Sequence, residues 1–222
     1  MGKIFSLLAA IVFLFTASFS VQANELEAQW NKGLDALNRA DYDAAFPIFS
    51  RLASQGFVPA VHYAGLFHQA GAGTPKNLKK AQEFFEKAGS EGYPESTFEL
   101  AMMYFAGDIS ATEKETQEKI VYWLRRGAEL GSADAQDNLG RLYGAANAVP
   151  DALPEDDILS YMWLTVAVEN GASSEGKHTA ASILAELEQV FTYKNVVEAK
   201  KLAKACIKQK FKGCATVSSM TK

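Results

Sequence analysis

Apolar side chains return along this chain in a fixed order, and each run closes on a glycine. The closing glycines are Gly56, Gly92, Gly131 and Gly171, spaced 36, 39 and 40 residues apart. Spacings of this size point to a repeat array. Eleven residues before each glycine stand Ala45, Ala81, Ile120 and Ser160. Three positions on come Ile48, Phe84, Trp123 and Trp163; seven on, Leu52, Ala88, Gly127 and Ala167; eight on, Ala53, Gly89, Ala128 and Val168. Offsets of 0, 3, 7 and 8 trace one face of a helix. Four residues before each anchor sit Asp41, Asn77, Thr116 and Asp156, all good N-cap types. Thr112 competes with Thr116, because Thr112 and Glu115 spell a capping box. The closing glycines suit left-handed C-caps.

These are the second helices of four units. The first helices carry Ala64-Gly65, Leu100-Ala101 and Leu139-Gly140, followed at a fixed distance by His68, Tyr104 and Tyr143. A small residue on that face lets two helices approach closely, and the aromatic ring fills the groove beside it. Gly71-Ala72-Gly73 and Gly107-Asp108 mark turns. The opening unit differs: Trp30, Gly33 and Leu37 precede a tight turn at Asp41-Tyr42 and a helix holding Ala45 and Phe49. Pro47 lies inside that helix and is expected to kink it. Gly144 to Asp156, with Pro150 and Pro154, is the longest linker, expected to be exposed and mobile. After Gly171 two more helices are predicted, over 174–189 and 193–210, with Thr192 as the cap between them. In the last one Ala199, Leu202, Ala203 and Cys206 form an apolar face and lysines form the other. A helix apolar on one side only is suited to end a stack.

The chain has 222 residues, 48% hydrophobic and 22% charged. That is ordinary for a globular protein and excludes a wholly disordered chain or a polytopic membrane protein. Lys3 is the only charge before Glu25, and Ile4 to Phe19 is apolar apart from Ser6, Thr16 and Ser18. Sixteen helical residues span about 24 Å, short of the ~30 Å bilayer core. Val21-Gln22-Ala23 then gives a cleavage pattern before Asn24. Residues 1–23 read as a secretory signal peptide, with a periplasmic or secreted mature chain that has no transmembrane segment. No cysteine lies near the cleavage point, which argues against a lipid anchor.

Charge is split unevenly. Residues 24–193 carry 13 basic and 25 acidic residues, net −12, whereas 194–222 carry eight lysines and one glutamate, net +7. An acidic body does not suit a nucleic-acid binder. Lys200, Lys201, Lys204 and Lys208 recur at helical spacing. They are either the solvated face of a last helix or a patch for an acidic surface such as phospholipid headgroups.

Ala135…Leu139-Gly140-Arg141-Leu142-Tyr143 followed by Tyr161-Met162-Trp163…Ala167…Gly171 resembles the Sel1-like repeat family, a relative of the tetratricopeptide repeat. Tyr122-Trp123-Leu124-Arg125-Arg126-Gly127-Ala128-Glu129-Leu130-Gly131 and Lys80-Ala81…Phe84-Phe85-Glu86-Lys87-Ala88 are similar to it too. Departures are His68 in place of tyrosine, Gly127 in place of alanine, and Leu159-Ser160 in place of a lysine–alanine pair. The predicted organisation is a tetratricopeptide-like pair over 24–56, three Sel1-like repeats over 57–171, and capping helices with a basic tail over 172–222. The resemblance implies an all-α, right-handed superhelical solenoid of antiparallel helix pairs, about ten helices in one continuous domain. It implies an interaction scaffold with no shared catalytic constellation.

Chemistry is sparse. His62 and His68 are six apart and do not stack as an i, i+4 metal pair; His178 stands alone. HExxH, paired CxxC, P-loop, GxGxxG and GxSxG motifs do not occur. Ser174-Glu175-Gly176-Lys177 matches SxxK, but no SDN or KTG follows, and serine caps a helix well there. Asp156-Asp157 suits helix N-terminus electrostatics. No catalytic residue, cofactor or metal site is therefore assigned. Cys206 and Cys214 are the only thiols, and two cysteines near one end tend to pair in an oxidising compartment. Eight residues of straight helix would hold them about 12 Å apart, too far for a bond. A disulfide clasp therefore requires the helix to stop near Phe211 and Gly213 to turn the tail back; the alternative is two free or separately reacting thiols.

The function expected is an exported adaptor that binds another envelope or secreted protein on a surface lined mainly by first helices, the acidic body favouring a basic partner. The rivals are a cell-wall glycan-binding module that stacks sugars on Trp30, Trp123 or Trp163, and a β-lactam or cell-wall hydrolase using Ser174.

Overall fold

Side-chain caps decide where the second helix of each pair starts. Asp41 Oδ1 accepts from the Ala44 N–H (3.1 Å), Asn77 Oδ1 from Lys80 (2.9 Å), and Asp156 Oδ1 from Leu159 (2.9 Å). In the third pair Thr112 prevails over Thr116. Its hydroxyl accepts from the Glu115 N–H, and the Glu115 carboxylate accepts from the Thr112 N–H at 3.0 Å. That closed box lengthens the helix by a turn at its N-terminal end. The four closing glycines all take left-handed backbone, with φ from +82° to +96°.

The structure is a computed structural model that describes residues 24–145, 152–153, 155–171 and 174–214, and only the backbone of 174–177. The predicted signal peptide, most of the Gly144–Asp156 linker and the tail beyond Cys214 lie outside the described residues. Those described form ten helices and no strand: α1 (24–38), α2 (Tyr42–Ser54), α3 (Val58–Ala70), α4 (Leu78–Ser90), α5 (Pro94–Phe105), α6 (Glu113–Leu130), α7 (Ala133–Gly144), α8 (Asp157–Glu169), α9 (Ser174–Val190) and α10 (Tyr193–Lys208). The all-α helical-repeat class expected from the sequence is what the chain adopts. Contacts group it into two compact units, one ending at Ala81 and the other beginning at Gln82, where the sequence reads as one array.

The first unit is built on aromatic rings. Phe49 is fully buried. It stacks on Tyr63 (centroids 4.8 Å apart) and meets Trp30 edge-on at 5.3 Å. Trp30 also meets Phe57 and Tyr63 edge-on. Such pairs add about 0.5–1.5 kcal/mol each beyond the area they bury. Gly33 makes room for this cluster, since a Cβ there would lie 3.1 Å from the Phe49 ring. His62 and His68 are both buried in this unit.

The second unit is a chain of closely approaching helices. A methyl group on Gly140 of α7 would sit 2.8 Å from Leu164 Cγ and 3.0 Å from its backbone nitrogen, so α7 and α8 touch nearly backbone to backbone. Gly127 explains its own departure from the repeat pattern. A Cβ there would collide with the Thr97 hydroxyl of α5 and come within 2.9 Å of Ala135 Cβ. Thr97 is fully buried and donates its hydroxyl hydrogen to the Pro94 carbonyl (2.6 Å). A threonine on one helix thus takes the space of a methyl group on the next.

Buried amides tie successive pairs together. Gln136, with no exposed surface, donates from Nε2 to the Ala128 carbonyl (3.0 Å). Asn170 donates from Nδ2 to the Gly131 carbonyl (2.8 Å) and to Gln136 Oε1 (3.1 Å). Carbonyls at the end of α6 and its cap thus gain bonds from the two helices that follow.

At the C-terminal end α10 buries Ala199, Leu202, Ala203 and Cys206 and packs on α8. Lys200 Nζ lies 2.9 Å from Glu188 Oε1, which also accepts from the Tyr161 hydroxyl. The turn after α10 differs from expectation. The helix stops at Lys208, three residues before Phe211, and Lys210 and Phe211 join Gly213 in left-handed backbone (φ +53°, +68° and +69°). The Phe211 ring lies against Gly131, within 3.3 Å of where a Cβ would sit. This brings Cys214 back to Cys206, Cα to Cα 5.1 Å, which is disulfide distance.

Three outcomes are expected. Gly127→Ala should cost about 1–3 kcal/mol in chemical denaturation, and pairing it with Thr97→Ala should recover about 1 kcal/mol of the combined loss. If the Cys206–Cys214 bond is formed, the unreduced chain shows no reactive thiol. Reduction then lowers stability by roughly 2–3 kcal/mol on the loop-closure argument for so short a loop. Finally, burial lowers the His62 pKa from 6.5 to about 4, and burial lowers His68 in the same direction. The unfolded chain takes up these protons first as pH falls, so stability is full above pH ~6.5 and drains away towards pH ~4. His62 contributes on the order of 3 kcal/mol to that loss. Denaturation midpoints measured from pH 7.5 to 4 should show the fall, with a shallower slope in His62→Gln.

Candidate functional site

The helix that buries Trp123 and Leu124 on one side turns a row of polar residues outward on the other. Along α6, Glu118, Tyr122, Arg125, Arg126 and Glu129 recur at helical spacing. They line an open groove of about 730 Å³ in the second unit, closed at its margins by Gly89, Ser90 and Ala152. Tyr122 is 56% exposed and meets Trp123 edge to face at 4.8 Å. Lys119 Nζ lies 6.0 Å from the centre of the Tyr122 ring. Arg125 donates from Nη2 to the Tyr143 hydroxyl of α7 (3.1 Å), which fixes its guanidinium at the groove wall.

Two donors here lack an acceptor among the described residues: Trp123 Nε1–H, on a ring 9% exposed, and Arg125 Nε–H. Arg126 has no ion-pair partner among those residues. Trp123 Nε1 and Arg125 Nε are both closed off from solvent, which is costly for an uncompensated donor, and neither is presented by the groove. Its rim offers one tyrosine ring and charges of both signs.

A second groove of about 540 Å³ runs between the end of α7 and α9. Ile183, Leu187 and Val190 form its apolar wall, with Arg141 and Ser160 facing them. Arg141 is held by Asp137 at 2.8 Å. Burial pushes the Asp137 carboxyl up, and the guanidinium beside it opposes that shift.

The candidates picked out by sequence fall mostly elsewhere. His62 and His68 are core residues of the first unit, and His178 is exposed on α9. Among the described residues no cluster of three His, Cys, Asp or Glu is placed to hold a metal ion. The side chains of Ser174 and Lys177 lie outside the described residues. Asp156 is the cap of α8. Trp163 is buried, Trp123 nearly so, and Trp30 is enclosed by three aromatic rings. No helix among the described residues is long and apolar enough to cross a membrane.

The sequence suggests a binding surface lined mainly by first helices; of these two grooves, the larger is lined chiefly by α6, a second helix. The signal was present in Tyr122 and in Arg125-Arg126, polar or amphipathic positions beside the core pattern. It was hidden because nothing in the spacing shows which outward positions border a hollow.

Comparison with known proteins agrees with the architecture. The Sel1 repeat family matches residues 58–93, 94–132 and 133–171, which are the pairs α3–α4, α5–α6 and α7–α8. The mouse (Mus musculus) DAP3-binding cell death enhancer 1 is 30% identical over 165 residues, 74% of this chain and 30% of that protein. The exopolysaccharide production negative regulator of Rhizobium leguminosarum bv. viciae is 28% identical over 122 residues, 49% of this chain and 44% of its own length. The chain therefore spans less than half of these curated relatives. The crystal structure of a Sel1 repeat protein from Oxalobacter formigenes aligns with a TM-score of 0.53 at 21% identity, covering 72% of this chain and 62% of that one, a likeness of fold. With three consecutive repeats matched over just more than half of its length, the chain belongs to the Sel1 repeat family, whose repeats are generally protein-interaction scaffolds.

Proposed function

We propose that this protein is an exported adaptor that holds another envelope or secreted protein by a peptide segment laid in the α6 groove. The observation that carries the reading is an open groove of about 730 Å³ lined by the exposed Tyr122 ring together with Glu118, Arg126 and Glu129. A tyrosine ring gives contact area at low entropic cost, and the Arg126 guanidinium can donate to peptide carbonyls. Glu118 and Glu129 on the rim, and the net −12 of residues 24–193, favour a partner with a basic surface. Export rests on the apolar segment 4–19 and the Val21-Gln22-Ala23 pattern. The tryptophans that would stack on sugars are packed against protein, which favours the adaptor over the glycan module.

The test is capture of envelope proteins on the chain from Asn24 onward, beside a Tyr122→Ala/Glu118→Gln variant that melts at the same temperature. One dominant partner is expected, held about tenfold more weakly by the variant and released progressively as salt rises. Equal capture by the variant, or an affinity indifferent to salt, would overturn the groove or the charge argument respectively. Sedimentation with purified cell wall in place of protein capture would favour the glycan module.

A further inference from the structure

Helix α10 presents a face that the repeat fold does not use. Its buried side, Ala199, Leu202, Ala203 and Cys206, accounts for its packing on α8. On the opposite side Tyr193, Val197, Lys201, Lys204 and Lys208 fall within about 80° of arc at ~100° per residue. All five are exposed, Tyr193 by 85% and Val197 by 47%. Val190, the last residue of α9, adds a side chain 77% exposed at the same corner. The stripe is about 22 Å long, apolar at one end and cationic along the rest.

The charges are not consumed within the molecule. Lys200 turns aside to Glu188 (2.9 Å), whereas Lys201, Lys204 and Lys208 have no ion-pair partner among the described residues. Glu198 is the one carboxylate of residues 194–222 and lies at the edge of the stripe, about 60° from Lys201. Lys210 and Lys212, both exposed, continue the positive charge around the turn that follows.

We propose that this stripe docks the protein on an anionic phospholipid surface. Two features favour lipid over an acidic protein. First, the segment holds eight lysines and no arginine. Lysine is a compact, strongly hydrated charge on a flexible stem, suited to a fluid array of headgroups, whereas fixed carboxylates are better met by the arginine fork. Second, the exposed tyrosine and valines sit beside the lysines rather than apart from them. Aromatic rings settle at headgroup level while neighbouring lysines meet the phosphates. The arrangement is peripheral, since α10 is too polar to cross a bilayer.

The experiment is vesicle flotation with the chain from Asn24 onward, which contains every described helix. The probes are vesicles of phosphatidylcholine alone and of an equal mixture of phosphatidylcholine and phosphatidylglycerol. Binding to the mixed vesicles only, weakened by salt, is expected. Lysines near an anionic surface contribute about fivefold each in partitioning, so Lys201→Gln/Lys204→Gln/Lys208→Gln should lose about a hundredfold. Tyr193→Ser/Val197→Ser should weaken binding while leaving its salt dependence in place. These side chains are exposed, so unchanged melting is the check on folding. No binding to the mixed vesicles overturns the proposal, as does binding that survives loss of the three lysines. So does lysine-dependent self-association in sedimentation without lipid, which would assign the stripe to the acidic body of a second copy. The Tyr122→Ala/Glu118→Gln variant should still float, so failure here and failure of the groove reading are separately visible.

Discussion

Close approach of helix backbones is the constraint on which the second unit depends. Gly140 lies against Leu164, and Gly127 lies against Thr97 and Ala135, with no space for a methyl group. At such distances the large side chains cannot lie between the helix axes. They are displaced to the sides of these contacts, and Trp123, Tyr143 and Trp163 are all buried. The same closeness brings helix ends within reach of side chains from the next pair. That is why Gln136 and Asn170 can take up the carbonyls of Ala128 and Gly131. Tight packing thus places the amides, and the amides set the register of one repeat on another.

The electrostatics follow a different logic from the packing. In the acidic body, charges serve local ends: Asp41 and Asp156 cap helices, and Asp137 orients Arg141. In α10 the charges do little for the fold, since three lysines of the outward stripe have no ion-pair partner among the described residues and one flank is held by a single Lys200–Glu188 pair. Surface ion pairs of that kind contribute at most about 1 kcal/mol. The apolar contacts of Leu202 and Ala203 hold the helix in place. The folded structure therefore tolerates wide variation in the lysine stripe.

The helix pairs were readable because each depends on local rules. A cap such as Asp41, a left-handed glycine such as Gly131 and a face such as Ala45, Phe49, Leu52 need no knowledge of distant chain. Three features escaped those rules. Thr112 was chosen over Thr116 because only its box closes on both sides. Gly127 looked like a weak repeat position until Thr97, thirty residues away in sequence, was found in the space its methyl group would take. The turn after Lys208 uses left-handed Lys210 and Phe211, and propensity alone assigns left-handed backbone to glycine. The Phe211 ring docked on Gly131 is the tertiary contact that outweighs it. The α6 groove escaped for the same reason, being a property of separate segments that meet only in the folded chain.

A repeat protein cannot use one residue as both core and recognition site. The tryptophans illustrate the choice. They are the most conspicuous side chains in the sequence, and any reading by residue type gives them a ligand. Trp163 has 1% of its surface exposed, and Trp123 9%. Moving either to meet a ligand would open the packing that the helix approach requires. Recognition must then be carried by positions the repeat leaves unconstrained. On α6 these are Glu118, Tyr122, Arg126 and Glu129, which share a helix with the core but point away from it. A scaffold organised in this way can alter its partner by changing exposed residues of one helix while the close contacts at Gly127 and Gly140 stay as they are.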